Sequence, residues 1–82
     1  MLHLMIEEYA DALDPDGVCA LATAIEFTEL VRLTYRPIGS RTKVRVVIEP
    51  DSVNGEFLRG RDVAAGKSIR VRLGDIERVH PM

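Results

Sequence analysis

The sequence predicts an α+β fold in which an N-terminal helical hairpin is followed by a small five-stranded β-barrel. Up to Phe27 the apolar residues recur at helical spacing, and beyond it they alternate with polar residues as in strands. Turn residues divide the alternating part into five short segments. At 82 residues with one cysteine, the chain is expected to form a single domain without a disulfide. This domain divides into an acidic helical segment over 1–28 and a basic barrel over 29–82.

The first helix is predicted over residues 2–13, because its apolar residues form one stripe and its acids lie on the other side. The stripe could pack on the chain's own barrel as a lid or against a second copy of the chain. It consists of Leu2, Met5, Ile6, Tyr9 and Leu13.

A second helix is predicted over 15–27. Asp14 is suited to cap it, and Pro15 is suited to its first position. Its buried face is expected to contain Val18, Leu21, Ala22 and Ile25. Cys19 lies among these apolar residues and is expected to be a buried small hydrophobe.

Five strands are predicted from the alternation and the turn signals, over 30–36, 42–49, 56–61, 69–73 and 76–79. Pro50-Asp51 is expected to end the second strand, and Asn54-Gly55 is a strong hairpin signal before the third. Closing five short strands into a barrel removes the exposed edges that a flat sheet would leave.

Charge is distributed unequally along the chain. Residues 1–31 contain seven acids and no Lys or Arg, whereas residues 32–82 contain all eleven basic residues and six acids. The net charges of the two parts are therefore −7 and +5, which gives −2 for the whole chain. The outward strand positions are basic, and the planar guanidinium fork suits phosphate. They are Arg32, Arg36, Lys43, Arg45, Arg59, Arg61, Arg70 and Arg72. These side chains could converge on one anion site, or they could be solvated or paired with the chain's own acidic helices.

Composition argues against several classes of function. No Ser-His-acid set, nucleophile elbow or Gly-rich phosphate loop can be assembled, so we expect a protein that is not an enzyme. His3, His80 and Cys19 lack metal-ligand spacing, and no metal or cofactor is expected. The chain contains no run of about 20 apolar residues, so it is not expected to enter a membrane. An unpaired thiol and the lack of a signal-peptide pattern favour the cytoplasm.

The order of these segments resembles a WYL domain over about residues 24–80. Ala24-Ile25 and the segment 31–36 (VRLTYR) resemble the opening of the family pattern, and 45–50 (RVVIEP) resembles its "R.V.P" strand. The segment 69–79 (IRVRLGDIERV) resembles the family's last two strands. At the triplet that names the family, Glu56 stands where Trp is usual and Phe57 where Tyr is usual, while Leu58 is kept.

The resemblance implies an SH3/Sm-like five-stranded barrel preceded by a helix, of the kind that serves as the ligand-sensing part of bacterial transcription regulators. Binding of nucleic acid or nucleotide-like ligands in that family is attributed to arginines and an aromatic residue, which nominates Tyr35, Arg59, Arg70 and Arg72. With the outward residues Arg45 and Arg61, these form the candidate ligand-binding set. Tyr35 could stack on a base, or it could be a core aromatic, as its inward position in the alternation indicates.

The expected ligand is an anionic nucleotide or a short single-stranded nucleic acid, because four aromatic residues and no Trp are too few for a long stacking platform. A free-standing module of this kind would be an accessory regulator, or would sequester a nucleotide signal, and could be encoded by a phage or mobile element. The alternative is a homodimeric protein-interaction module that docks onto a partner regulator without a small ligand.

Overall fold

The computed structural model describes residues 2–82. Two α-helices are followed by five strands and one short 3-10 helix. The elements are α1 (Leu2–Tyr9), α2 (Pro15–Phe27), β1 (Val31–Tyr35), β2 (Val44–Asn54), β3 (Phe57–Asp62), β4 (Lys67–Arg72), the 3-10 helix (Leu73–Asp75) and β5 (Ile76–Pro81). The strands form one antiparallel sheet in the order β4-β3-β2-β1-β5. This arrangement confirms the predicted α+β class and is consistent with a small barrel-like fold.

The long strand β2 connects the two parts of the sheet. Its first half pairs with β1 and its second half with β3, and the register shifts between Pro50 and Ser52. The prediction that Pro50-Asp51 ends the strand is therefore wrong. A proline removes one ladder donor, and the irregularity in register beside it lets the strand bend and continue. The bend gives the sheet its curvature.

The hydrophobic core lies between the sheet and both helices. Alternate residues of β1 and β2 point into it, and fully buried members include Leu33 and Ile48. α2 packs on β5 and β2, while α1 packs on β2 and the 3-10 helix. The helices thus cover the inner face of the curved sheet, and the outer face carries the basic side chains.

α2 begins and ends as predicted. Its cap is confirmed, because the backbone N–H of Gly17 donates to Asp14 Oδ1 at 2.7 Å. α1 ends at Tyr9, four residues earlier than predicted. Residues 10–13 form a turn instead, in which the backbone N–H of Leu13 donates to the carbonyl of Ala10 at 3.2 Å. Asp14 is then extended, with ψ 169°, as residues before proline prefer.

The structure also decides the packing of the apolar stripe of α1 and of the single cysteine. Ile6 is fully buried in the chain's own core, and Leu2 and Leu13 pack against it, as a lid would. Met5 is half-buried and Tyr9 is exposed. The expectation of a buried Cys19 is wrong, because its side chain is exposed. Helical periodicity places Cys19 on the solvent-exposed face of α2. Asp16, three residues before it, and Glu26, seven residues after it, lie on the same face.

Candidate functional site

The basic side chains of the outer face fall into two surfaces. The first lies on the β3–β4 hairpin and is called the β3–β4 surface. It consists of Phe57, Arg59, Arg61, Ser68, Arg70 and Arg72. The antiparallel register sets Phe57 opposite Arg72, Arg59 opposite Arg70 and Arg61 opposite Ser68. Successive residues of a strand point to opposite faces, so all six lie on the outer face. The pairing of β3 with β4 therefore brings these arginines next to one another.

Arg59 and Arg70 are the central feature of the β3–β4 surface. Residues directly opposite on antiparallel strands have Cβ atoms about 4.5–5.5 Å apart, and like charges in that position are destabilising. In the described part of the chain, no carboxylate oxygen lies within 4.0 Å of either guanidinium. A shallow cavity of about 430 Å³ lies beside them, lined also by Asp51 and Ser68. Two cations that lie side by side on neighbouring strands, next to a surface cavity, can hold an anion.

An aromatic ring adjoins these two arginines. The guanidinium carbon of Arg70 lies 4.6 Å from the centroid of the Phe57 ring, a cation–π contact. Arg72 is less available, because its Nη2 lies 4.0 Å from Glu56 Oε2 and its Nε is buried without a hydrogen-bond partner. The surface therefore offers charge and a π face within one hairpin.

The second group lies across β2, β1 and β5 and is called the β1 surface. It consists of Arg32, Thr34, Lys43, Arg45, Arg78 and His80, which line a cavity of about 430 Å³. Thr34 is opposite Arg45 on one side and Arg78 on the other, and Arg32 is opposite His80.

The structure separates the predicted ligand-binding residues. It brings Arg59, Arg61, Arg70 and Arg72 together on the hairpin, whereas Arg45 lies on the β1 surface. Tyr35 points inward and packs against the hydrophobic core. A single patch containing all of these arginines is therefore not formed.

The sequence alone does not show that Thr34, Arg78 and His80 are neighbours of Arg45. The missing information is the pairing of β1 with β5, which brings residues more than forty positions apart into register. One signal was available, since Arg78 lies on the predicted strand 76–79 and His80 follows it by two positions, which places both on one face of a strand that continues to residue 80.

The acidic helices do not neutralise the basic strands in residues 2–82. The ion pairs found there join Arg36 and Lys43 to Glu77, and Arg72 to Glu56, and both acids belong to the sheet region. None of the seven acids of residues 1–31 takes part in them. The alternative in which the arginines pair with the chain's own helices has no support from these contacts.

Basic neighbours lower the pKa of Glu77. The hydrogen bond from Lys43, at 3.0 Å, is the largest cause; desolvation by burial opposes it, and the positive charges of Lys43, Arg36 and Arg78 add to the lowering, so the pKa of Glu77 lies below its ordinary value of 4.5. A lowered pKa means that the folded protein binds this proton less readily than the unfolded chain does. The stabilisation is therefore complete above the ordinary pKa and is lost as the pH falls through the lowered one.

We accordingly expect Glu77→Gln to reduce the loss of stability on acidification below pH 4.5. The measurement is urea unfolding, followed by circular dichroism, at neutral pH and at steps through the acidic range. The control is Glu26→Gln, which removes an exposed carboxylate that forms none of these ion pairs. Identical acid dependence in wild type and Glu77→Gln would show that the pair does not stabilise the fold.

Fold and site together define a small α+β domain with a basic outer sheet face. Proteasome accessory factor B/C (PafBC) of Arthrobacter aurescens has a similar structure, with a TM-score of 0.65 and 17% sequence identity. The similarity covers 84% of this chain and 12% of PafBC, so the chain spans about one-eighth of that protein's length. No family model and no curated protein matches the sequence. At this identity the comparison concerns the fold alone.

None of the helices in residues 2–82 combines the length and the apolar character that crossing a bilayer demands.

Proposed function

We propose that this chain is a non-enzymatic, WYL-like regulatory binding module that captures an anionic nucleotide or a short single-stranded nucleic acid on the β3–β4 surface. The observation that carries the proposal is the pair Arg59 and Arg70, which lie directly opposite each other and have no carboxylate within 4.0 Å. Arg45 and Tyr35 are not part of this site, whereas Arg61 and Arg72 extend it.

The charge arrangement supports an anion as ligand. Two like charges held opposite each other lower stability in the free protein, and an anion between them offsets this repulsion because it attracts both. Guanidinium groups bind phosphate through paired hydrogen bonds that are roughly twice as strong as neutral ones. Ser68, opposite Arg61, adds a hydroxyl to the same surface.

Phe57 supports a ligand that also has a flat, aromatic part. The ring and the guanidinium plane of Arg70 are the two types of surface on which nucleic-acid bases stack. One such position suits a nucleotide or a few linked nucleotides better than a long strand. Phosphate held by Arg59 and a base beside Phe57 would place both parts of one nucleotide on a single hairpin.

The regulatory part of the proposal rests on the similarity of fold to PafBC and on the sequence resemblance to WYL domains. In this proposal the domain senses or sequesters a nucleotide signal in the cytoplasm, in the manner of an accessory protein from a phage or mobile element. Binding, without turnover, is the activity.

The test is isothermal titration calorimetry with nucleoside mono-, di- and triphosphates and an eight-residue oligothymidylate. Arg59→Thr should weaken binding by about 10- to 100-fold, the value of a hydrogen-bonded charged contact of about 1.5–3 kcal/mol. Its stability should be unchanged or slightly higher, because the variant relieves the repulsion with Arg70 and keeps a β-favouring residue. The affinity of the wild type should fall steeply between about 50 mM and 200 mM salt.

Arg41→Thr is the matched control, since it removes one exposed positive charge from the loop before β2, outside both basic surfaces. Its affinity should stay within about twofold of the wild type. No heat with any member of the panel, or equal losses in Arg41→Thr and Arg59→Thr, would refute the proposal.

A second candidate function, a homodimeric protein-interaction module, is favoured by a different observation. An apolar groove of about 500 Å³ lies between the end of α2 and the end of β5, with Leu30, Val31 and Met82 in its lining. Phe27 is also exposed nearby in the chain. Light scattering of the wild type and Leu30→Ser across a concentration series tests whether a dimer forms there. Binding of a nucleotide by a monomer would favour the first function.

A further inference from the structure

We propose that Arg32, Arg45 and Arg78 form a second anion site, on the β1 surface, that binds chain-like phosphate anions through their phosphate groups alone. This site goes beyond the proposed function, because none of its residues belongs to the β3–β4 surface. It stands or falls independently of nucleotide binding there.

The geometry comes from the register of three neighbouring strands. Arg45, Thr34 and Arg78 form one row across β2, β1 and β5. Arg32 lies on β1, two positions before Thr34. Adjacent strands are about 4.7–4.9 Å apart, so the backbones of Arg45 and Arg78 are roughly 10 Å apart. This span suits an anion with more than one phosphate group. Thr34, the buried polar residue of the sheet at 7% exposure, places a hydroxyl between the two arginines.

The charge balance of the β1 surface is strongly positive. Lys43, Arg32, Arg45 and Arg78 all line one cavity, together with His80. Glu77 is the carboxylate that contacts this group, through Lys43. Asp14 borders a neighbouring cavity that shares Arg78 and His80, and it forms no ion pair within 4.0 Å with the residues described. Within residues 2–82, Arg32, Arg45 and Arg78 therefore have no carboxylate oxygen within 4.0 Å, and Arg78 interacts with Glu77 only at longer range.

The chemistry of the lining identifies the class of ligand. The cavity contains guanidinium, ammonium, hydroxyl and imidazole groups, and no Phe, Tyr, Trp or aliphatic residue lines it. Such a set binds phosphate oxygens by charge-assisted hydrogen bonds, so a ligand needs only phosphate groups to engage it. The shared chemistry is a chain of phosphates, which either an inorganic oligophosphate or the phosphodiester backbone of a single strand can supply.

The first experiment is calorimetric titration with inorganic tripolyphosphate, which has no base. The wild type should bind it, and Arg78→Thr and Arg32→Thr should each bind roughly tenfold more weakly or worse. Arg41→Thr should bind it within about twofold of the wild type, and Arg59→Thr should keep the heat of binding that Arg78→Thr loses. Equal affinity of the wild type and Arg78→Thr, or an equal loss in Arg41→Thr, overturns the proposal.

A variant with higher affinity for tripolyphosphate provides a further test, because loss of folding cannot raise affinity. Glu77→Gln releases Lys43 from its 3.0 Å ion pair and adds a free cation to the cavity. Tripolyphosphate should then bind roughly two- to fivefold more tightly, the range expected for freeing one exposed ion-pair partner. Unchanged or weaker binding in this variant contradicts the site.

Titration with oligothymidylate separates the two sources of phosphate. One outcome is that Arg78→Thr weakens binding of oligothymidylate as well and reduces the slope of log K against log salt concentration by about 0.7 per lost phosphate contact. In that case the backbone of a single strand is the ligand. If the oligothymidylate affinity is unaffected while tripolyphosphate binding is lost, the ligand is an inorganic oligophosphate. Both results support the site. Loss of nucleotide binding in Arg59→Thr reports on the β3–β4 surface alone, so failure of one proposal leaves the other intact.

Discussion

Replacing Ile6 by Ala is expected to lower the free energy of unfolding by about 2–5 kcal/mol. Ile6 is 0% exposed and lies on α1, where it joins the core beneath the sheet. Truncation removes buried apolar groups and leaves a cavity that the surrounding helices and strands fill only partly. Small domains have total stabilities near the low end of about 5–15 kcal/mol, so the variant should be largely unfolded at moderate urea concentrations. Urea titration followed by circular dichroism measures the change.

Leu4→Ala is the control for this variant, because Leu4 lies on the same helix and is 66% exposed. Its effect should stay within about 0.5 kcal/mol of zero. A loss of less than about 1 kcal/mol in Ile6→Ala would mean that α1 is not docked on the sheet in solution. A stability of the wild type that rises with protein concentration would instead indicate that the apolar stripe of α1 packs against a second copy.

Replacing Gly60 by Ala is expected to cost about 1–3 kcal/mol or more, the cost of overpacking. A Cβ atom at this position would lie 2.6 Å from the carbonyl oxygen of Glu49 and 3.0 Å from Cα of Pro50. Both atoms are backbone, and Gly60 is paired with Pro50 beside the irregularity in β2, so neither strand can move aside without loss of register. Thermal and urea unfolding should both show the destabilisation.

The substitution at Gly60 should also affect the β3–β4 surface, because Arg59 and Arg61 flank it. The control is Gly39→Ala, where a Cβ would meet nothing within 4 Å but φ is +81°. Its cost should reflect only the left-handed backbone, about 1 kcal/mol. Equal stabilities of Gly60→Ala and the wild type would show that β2 and β3 are not in close contact at the bend.

Local signals in the sequence accounted for much of the fold. Asp14 and Pro15 mark the start of α2, and the cap that they predict is present at 2.7 Å. The alternation predicts strands over 30–36 and 69–73, and β1 and β4 lie there with Leu33 and Val71 buried. Each of these features depends on residues a few positions apart, so a single chain segment contains the necessary information. The outward position of Arg59 and Arg70 followed from the same alternation.

Long-range pairing decided the rest. β2 continues past Pro50 because β3 pairs with its far half. The basic residues divide into two surfaces because the order β4-β3-β2-β1-β5 places Arg45 beside β1 and β5, away from the hairpin that carries Arg59 and Arg70.

By itself, then, the amino-acid sequence determined the class of the fold, the second helix, the strand faces and the excess of positive charge in the second part of the chain. The tertiary structure decided which arginines are neighbours and which acids they meet. The physical reason is that periodicity assigns a side chain to a face, whereas proximity between strands depends on hydrogen-bonded register and on the bend in β2.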